Sequence, residues 1–319
     1  MGGVFPTVIP HGRTARRLSW AHLPPIVRRA VEQRLGSPVV DAVSQDGGFT
    51  PGFASVLTCA DGTRAFVKAA STKAQRVFAD AYREEARKLA GLPAAVPAPG
   101  LSWTDDVADW FLLATEYVDA RAPHRPWSET DLAAASAMTL AMAEALTPAP
   151  AIALDGAVDD FASWPALWDR IAHPRRDELR ALADRYAEVV VGDTLVHTDI
   201  RDDNILVRAD GSALLCDWNW PTVGAAWLDS LLLLIGPRGD GLDVEAHIAA
   251  HPLLAGVPAE DVDVFLALVL GYFAASADQP VPATSPHLRA AQAWQRDVLD
   301  HWLAERRGWA PHERAAIGG

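Results

Sequence analysis

The densest run of chemically competent side chains is His197-Thr198-Asp199-Ile200-Arg201-Asp202-Asp203-Asn204, followed at once by the apolar Ile205-Leu206-Val207. It sets a carboxylate, Asp199, and a carboxamide, Asn204, five positions apart on a polar loop that enters a strand. A turn at Asp210-Gly211 then leads through Ala213-Leu214-Leu215-Cys216 to a second carboxylate, Asp217. The spacing describes a hairpin with oxygen ligands at both ends. Such a set suits phosphoryl transfer, where an anionic group resists attack until metal ions neutralise charge and the acceptor hydroxyl is aimed in line. Asp199 would receive the hydroxyl proton. Asn204 and Asp217 would hold Mg2+, a hard cation that favours oxygen ligands and shares its shell with phosphates. Singly, each of these residues reads as readily as a turn cap; the ordered set does not.

The elements that must position this hairpin follow from local pattern. Residues 23–35 can form a short helix, and 39–44 has strand character up to Gln45-Asp46-Gly47-Gly48. Residues 53–58 and 64–69 are β-rich runs either side of Asp61-Gly62, a strong hairpin signal. Three antiparallel strands therefore open the fold. Over 72–89, Val77, Ala81, Ala86 and Leu89 fall among charged residues as on an amphipathic helix closed by Gly91 and Pro93. Residues 110–118 read as a buried strand, and Ala120-Arg121-Ala122-Pro123-His124-Arg125-Pro126 breaks the pattern as a lobe boundary. Helices are expected over 131–146, with Ser128 and Glu129 near the start, and over 175–190. Between them, 148–165 is a loop that either shapes a substrate site or simply connects. Short strands resume at 194–196, 205–207 and 213–216, and the remainder is mainly helical.

Composition narrows the function. The 319 residues carry 28 Lys and Arg against 41 Asp and Glu, a net charge of −13. So acidic a chain is a poor binder of nucleic-acid backbones, which need cationic contacts, and a cationic small substrate suits it better. Cys59 and Cys216 are the only cysteines, too few for a disulfide framework or a four-thiolate zinc site. The start carries Pro6, Pro10, His11, Arg13, Arg16 and Arg17 without an apolar core, so no secretory signal is expected. The longest apolar runs, 231–235 and 264–277, fall short of the ~20 residues that cross a bilayer. A cytoplasmic protein without membrane partners is expected.

The loop from His197 to Asn204 resembles that of the aminoglycoside phosphotransferase family, the protein-kinase-like small-molecule kinases. The family's His-Gly-Asp has Thr198 here in place of Gly, while the Asp-to-Asn spacing is intact. Asp217-Trp218-Asn219 is similar to the family's looser versions of the kinase Asp-Phe-Gly and keeps the metal-binding Asp. The resemblance implies an α+β, bilobal protein-kinase-like fold: a small antiparallel-sheet lobe over 1–118 with the hinge at its end, and a larger, mainly helical lobe over 119–319. It implies ATP or GTP as phosphoryl donor, Mg2+, and a small hydroxylated acceptor. An antibiotic of the aminoglycoside type, or a macrolide or nucleoside antibiotic, is the first expectation. A choline, amino-alcohol or sugar kinase, and a nucleotide-binding pseudoenzyme, are the rivals.

The same resemblance assigns the nucleotide side. Gly47-Gly48-Phe49-Thr50-Pro51-Gly52 stands where a kinase has its glycine-rich cover, with Gly48 and Gly52 over the phosphates, although an ordinary hairpin loop reads the same way. Lys68, one of three lysines, lies in the apolar Ala65-Phe66-Val67-Lys68-Ala69-Ala70, where an ammonium is costly unless paired. A phosphate and a helix carboxylate are its expected partners; Glu85 is the choice and Glu84 the close second. Thr115-Glu116-Tyr117-Val118 looks like the hinge, with Glu116 C=O and Val118 N–H offered to the base. Arg201 either stands near the transferring phosphate or pairs with Asp202 or Asp203. Asp229 and His197 are expected to brace the catalytic loop. The tryptophans, among them Trp164, Trp168, Trp218, Trp220 and Trp227, are expected in the core.

Overall fold

The computed structural model describes residues 5, 9–10, 14–48 and 51–310. Phe49 and Thr50 of the glycine-bearing run, and Pro6, His11 and Arg13 near the start, lie outside the described residues. The first helix, α1 (Pro25–Leu35), ends at Gly36 in the left-handed conformation, φ 77°, a backbone state that glycine adopts without steric cost. Strands β1 (Val39–Ser44), β2 (Phe53–Cys59) and β3 (Arg64–Ser71) follow, and helix α2 (Arg76–Gly91) precedes β4 (Leu101–Val107) and β5 (Trp110–Glu116). They form one sheet in the order β1-β2-β3-β5-β4, with every neighbouring pair antiparallel.

The β2–β3 turn forms where Asp-Gly predicts it. Gly62 has φ 89° and Thr63 N–H donates to Asp61 Oδ1 at 2.9 Å. Strand β4 is an element the sequence reading lacks. Its alternation of half-buried and exposed positions is shallow, and Asp105 and Asp106, on opposite faces of this edge strand, form ion pairs with Arg34 and Arg83. Strand β5 also stops at Glu116 rather than running to Val118.

The two-residue period of β3 decides what the sheet presents on each side. Ala65, Val67 and Ala69 pack with Val27 and Val31 of α1. Ala70, with Phe111 and Leu113, packs instead with Ala79, Tyr82 and Ala86 of α2. Lys68 shares the parity of Ala70 and stands opposite Leu113, so its side chain leaves the sheet toward α2.

The chain then passes through β6 (Ala120–Arg121) into α3 (Glu129–Ala145), capped by Ser128, whose hydroxyl accepts from Asp131 N–H. Beyond it come α4 (Ala157–Asp160), α5 (Arg176–Ala183) and α6 (Tyr186–Val189), the strands β7 (Thr194–Val196), β8 (Ile205–Arg208), β9 (Ala213–Leu215) and β10 (Thr222–Gly224), and then α7 (Leu228–Leu233), α8 (Ile235–Gly239), α9 (Val244–Ala250), α10 (Ala259–Ala277) and α11 (Leu288–Arg306). The single helix expected over 175–190 is two, broken at Asp184 and Arg185. β8 and β9 are the expected hairpin, joined to β6, and β7 pairs with β10.

One large apolar cluster fills this part, with Trp168, Trp218 and Trp302 wholly buried. Trp164 stacks on Tyr272 at 4.3 Å and Trp227 meets Phe265 edge-on. Trp220 departs from the core expectation and is 69% exposed. Phe5 stands apart from the division expected at residue 118, because its N–H donates to Gly239 O and its C=O accepts from Trp294 in the helical part. Among the described residues no helix is long and apolar enough to cross a membrane.

Candidate active site

Lys68 is the meeting point of three elements. Its Nζ donates to Glu85 Oε1 at 2.7 Å and Oε2 at 2.8 Å, and to Asp217 Oδ1 at 2.8 Å. The choice of Glu85 over Glu84 is decided here. Glu85 is buried, whereas Glu84 lies exposed and pairs with Arg87. Burial disfavours the Lys68 ammonium, yet Asp217 and Glu85 outweigh it and hold its pKa above the ordinary value. Two carboxylates sharing one cation are not held alike. Burial pushes Glu85 up to about 7 against the pull of Lys68. Burial also opposes ionisation of Asp217, but Lys68, then Arg201, keep that carboxyl below its ordinary value.

Asp217 sits at φ 67° and Thr198 at φ 64°, left-handed backbone that costs a non-glycine residue about 1–2 kcal/mol. Local bonds hold both. Asp229, at the start of α7, accepts His197 N–H at 2.7 Å and Thr198 N–H at 2.9 Å, and Thr198 Oγ1 donates to Trp220 O at 2.7 Å. Thr198 therefore keeps the backbone turn that the family's glycine makes easily. Asn219 donates its side-chain N–H to Asp217 Oδ1 at 2.6 Å.

His197 is wholly buried, edge-on to Trp218 at 4.8 Å. Its Nδ1 accepts from Asp199 N–H at 3.2 Å, and its Nε2 lies 3.1 Å from Cys216 O. With one nitrogen accepting and the other facing a carbonyl, the ring is a neutral Nε2–H tautomer, and burial holds its pKa down. It braces the loop, as Asp229 does.

Asp199 faces Arg201 and Asn204. Arg201 Nη1 donates to Asp199 Oδ1, while Nε and Nη2 grip Asp203 at 2.9 and 3.1 Å. Arg201 thus takes the pairing alternative with Asp203 and reaches the Asp199 carboxylate as well. Asp202 goes to Arg125 instead. Asn204 Nδ2 donates to Asp199 O at 2.9 Å and to Asp199 Oδ2 at 3.1 Å. Burial lifts the Asp199 pKa and Arg201 draws it back.

The oxygens left without a hydrogen bond among the described residues include Asp217 Oδ2 and Asn204 Oδ1. No group of three or more His, Cys, Asp or Glu able to hold a metal converges among the described residues. Two oxygen donors nevertheless match a Mg2+ that takes its other ligands from phosphates and water. The charge agrees: among the described residues Asp199, Asp203, Asp217 and Glu85 form ion pairs only with Lys68 and Arg201, and even with Glu85 held close to neutral by burial the carboxylates outnumber the cations, an excess that a divalent cation offsets.

Several site residues escape sequence reading. Lys88, one turn beyond Glu85, is buried and donates to Asn219 O at 2.5 Å, a second tie from α2 to the Asp217 segment. The scarcity of lysine was its one signal. Thr14 and Arg17 hold the glycine-bearing loop by donating to Gly48 O at 2.5 Å and Gly47 O at 2.8 Å. Gly48 has φ 76° and lies over Asp203; Gly52 lies against Tyr82. At the expected hinge Glu116 N–H donates to Gly100 O at 2.9 Å, while Val118 N–H makes no backbone hydrogen bond among the described residues. Ile200, next in sequence to Asp199, lines a pocket together with Ile9, Trp127, Ile235 and Trp294 and the charged Arg125, Arg201, Asp202, Asp203 and Asp240.

No protein-family model matches the chain, and no curated protein matches it. Solved structures do. An aminoglycoside phosphotransferase from Alicyclobacillus acidocaldarius superposes with TM-score 0.57 at 16% identity, over 91% of this chain and 98% of that one. A choline kinase from Streptococcus pneumoniae gives 0.58 at 14% identity, over 84% and 97%. A spectinomycin phosphotransferase solved with ADP and spectinomycin gives 0.58 at 12% identity, over 89% and 100%. The two-lobed α+β fold read from the motifs is therefore the fold of these small-molecule kinases.

Removing the Asp229 carboxylate strands one buried and one half-buried N–H group and frees a strained turn. Asp229→Ala is expected to lower unfolding free energy by about 3 kcal/mol, read by urea denaturation. A loss under about 0.5 kcal/mol, the scale of ordinary surface changes, contradicts the bracing role.

Proposed function

Starting from the kinase-like two-lobed fold, we propose that the protein transfers the γ-phosphoryl group of ATP or GTP to a hydroxyl of a small molecule. The single observation that carries the reading is Lys68 bound at once to Glu85 and Asp217, across the cleft in which a triphosphate would lie. Lys68 binds phosphate oxygens and Glu85 fixes its position. Asn204 and Asp217 hold Mg2+, which supplies charge neutralisation to the transferring group. Gly48 and Gly52 cover the phosphates, and Glu116 C=O with Val118 N–H receive the base. Asp199 takes the acceptor's proton and orients its oxygen, and Arg201 holds Asp199 and steadies developing charge.

The acceptor occupies the pocket lined by Ile200, next to Asp199, where indole and aliphatic walls stand with three carboxylates, Asp202, Asp203 and Asp240, against two guanidiniums, Arg125 and Arg201. That mixture fits a hydroxylated molecule with an apolar face and some positive charge. An antibiotic of the aminoglycoside, macrolide or nucleoside kind, with resistance as the outcome, is the preferred reading. A cytoplasmic metabolic kinase of choline, an amino alcohol or a sugar is the alternative. A pseudoenzyme is disfavoured by the assembled Lys68, Asp199, Asn204 and Asp217.

Incubation with Mg2+ and ATP or GTP against a panel of hydroxylated antibiotics and amino alcohols should yield a product heavier by one phosphoryl group. Asp199→Ala is expected to lower kcat about a thousandfold with nucleotide affinity kept, and Asp217→Ala to weaken Mg2+-nucleotide binding as well. Wild-type turnover in the first, or unchanged Mg2+ dependence in the second, contradicts the assignment.

The pH profile gives a separate check. A base whose pKa is raised is protonated, and lost, at a higher pH as the solution is acidified. The acidic limb of kcat/KM should therefore lie above the ordinary Asp range, and Arg201→Ala should move it toward neutrality by removing the cation that favours the carboxylate. A limb that stays in place, or moves down, rules against Asp199 as base.

A further inference from the structure

Helix α2 carries a polar group that the roles above leave unused. Tyr82 lies one turn before Glu85 on the face turned to the sheet, is 1% exposed, and packs with Ala70, Phe111 and Leu113. Its hydroxyl, wholly buried, has no hydrogen-bond partner among the described residues. Buried hydroxyls are rarely left so, because each unmet donor forfeits the bond it had with water. Replacing this one with a hydrogen atom would leave the apolar contacts intact, so packing alone does not account for the oxygen.

The direction of the hydroxyl says what it is for. A Cβ added at Gly52 would collide with Tyr82 Oη and crowd its ring, so the phenol ends directly against the glycine-bearing loop. Lys68 Nζ lies 5.5 Å from the ring centre. Burial raises the phenol's pKa, with Lys68 and Arg17 pulling the other way, and the group remains a neutral donor. The phenol thus ends against Gly52 while its ring stands beside Lys68, the two parts that the kinase reading sets around the triphosphate.

We propose that Tyr82 Oη is a phosphate-binding donor, giving its hydrogen bond to the β- or γ-phosphate of the bound nucleotide. Gly52 is then glycine for two reasons, since any side chain there would displace the phenol from the loop and thicken the cover over the phosphates. The proposal rests on the kinase reading and adds a residue to it.

Titration calorimetry with Mg2+ tests it, using AMP-PNP and adenosine, or GMP-PNP and guanosine, on wild type and Tyr82→Phe. The variant keeps the ring and removes one oxygen. Expected is about a tenfold or greater loss of affinity for the triphosphate analogue, the worth of one hydrogen bond to a charged acceptor. Nucleoside affinity should be unchanged, and the Tm of the unliganded protein equal or higher because an unmet polar group is gone. Unchanged triphosphate affinity overturns the proposal, as does equal weakening of analogue and nucleoside, or a lowered Tm, which assigns the oxygen to the fold. Wild type that binds neither analogue overturns the kinase reading itself, an outcome distinct from a defect confined to Tyr82→Phe.

Discussion

One ammonium, that of Lys68, lies between a carboxylate of the sheet lobe's helix and a carboxylate of the catalytic hairpin. Holding the buried Lys68 and Glu85 against a half-buried Asp217 is costly, and removing one partner of a buried charge leaves the other uncompensated, a loss of about 3–5 kcal/mol. The surrounding architecture meets that cost. Strand parity turns Lys68 toward α2, the helix brings Glu85 to the same face, and Asp217 arrives on left-handed backbone. Lys88 on the next turn of α2 binds Asn219 O, and Asn219 in turn binds Asp217. Helix α2 and the Asp217 segment are thus joined at two points, which favours a fixed arrangement over a regulatory flip of that segment.

The catalytic loop obeys a second constraint, that strained backbone persists only where its surroundings over-determine it. Thr198 occupies a glycine-like conformation because both neighbouring N–H groups find Asp229 and its own hydroxyl finds Trp220 O. His197 fills the space beneath, its Nδ1 satisfied inside the same loop and its Nε2 by Cys216 O at the far end of the hairpin. Asp199 is left with partners that tune it without consuming it. Arg201 favours its charge, and Asn204 fixes its second oxygen.

Much of this was legible in residue order, since the hairpin from Asp199 to Asp217 depends on local spacing and an Asp-Gly turn. The strand lysine was legible too, because an ammonium in an apolar run demands partners wherever they come from. Helix phase alone could not separate Glu84 from Glu85; the position of Lys68 across the sheet does. Strand β4 escaped because Asp105 falls among Leu101, Trp103 and Val107 on its half-buried face and breaks the apolar alternation. Thr14, Arg17 and Arg125 escaped for another reason, since their partners Gly48, Gly47 and Asp202 lie 30 or more positions away and nothing local marks them. The break at Asp184-Arg185 falls inside a run with good helical pattern, and nothing local marks it; the two short helices it leaves both pack against α10.

The account turns on Glu85 and Asp217 acting through one shared cation. A double-mutant cycle reads this directly: Mg2+-nucleotide affinity of Glu85→Gln, Asp217→Asn and the pair, by calorimetry. Coupling through Lys68 predicts that the double variant loses at least about 1 kcal/mol less than the sum of the two single losses. Losses that add within about 0.3 kcal/mol would contradict it and reduce the three-way contact to coincidence of packing.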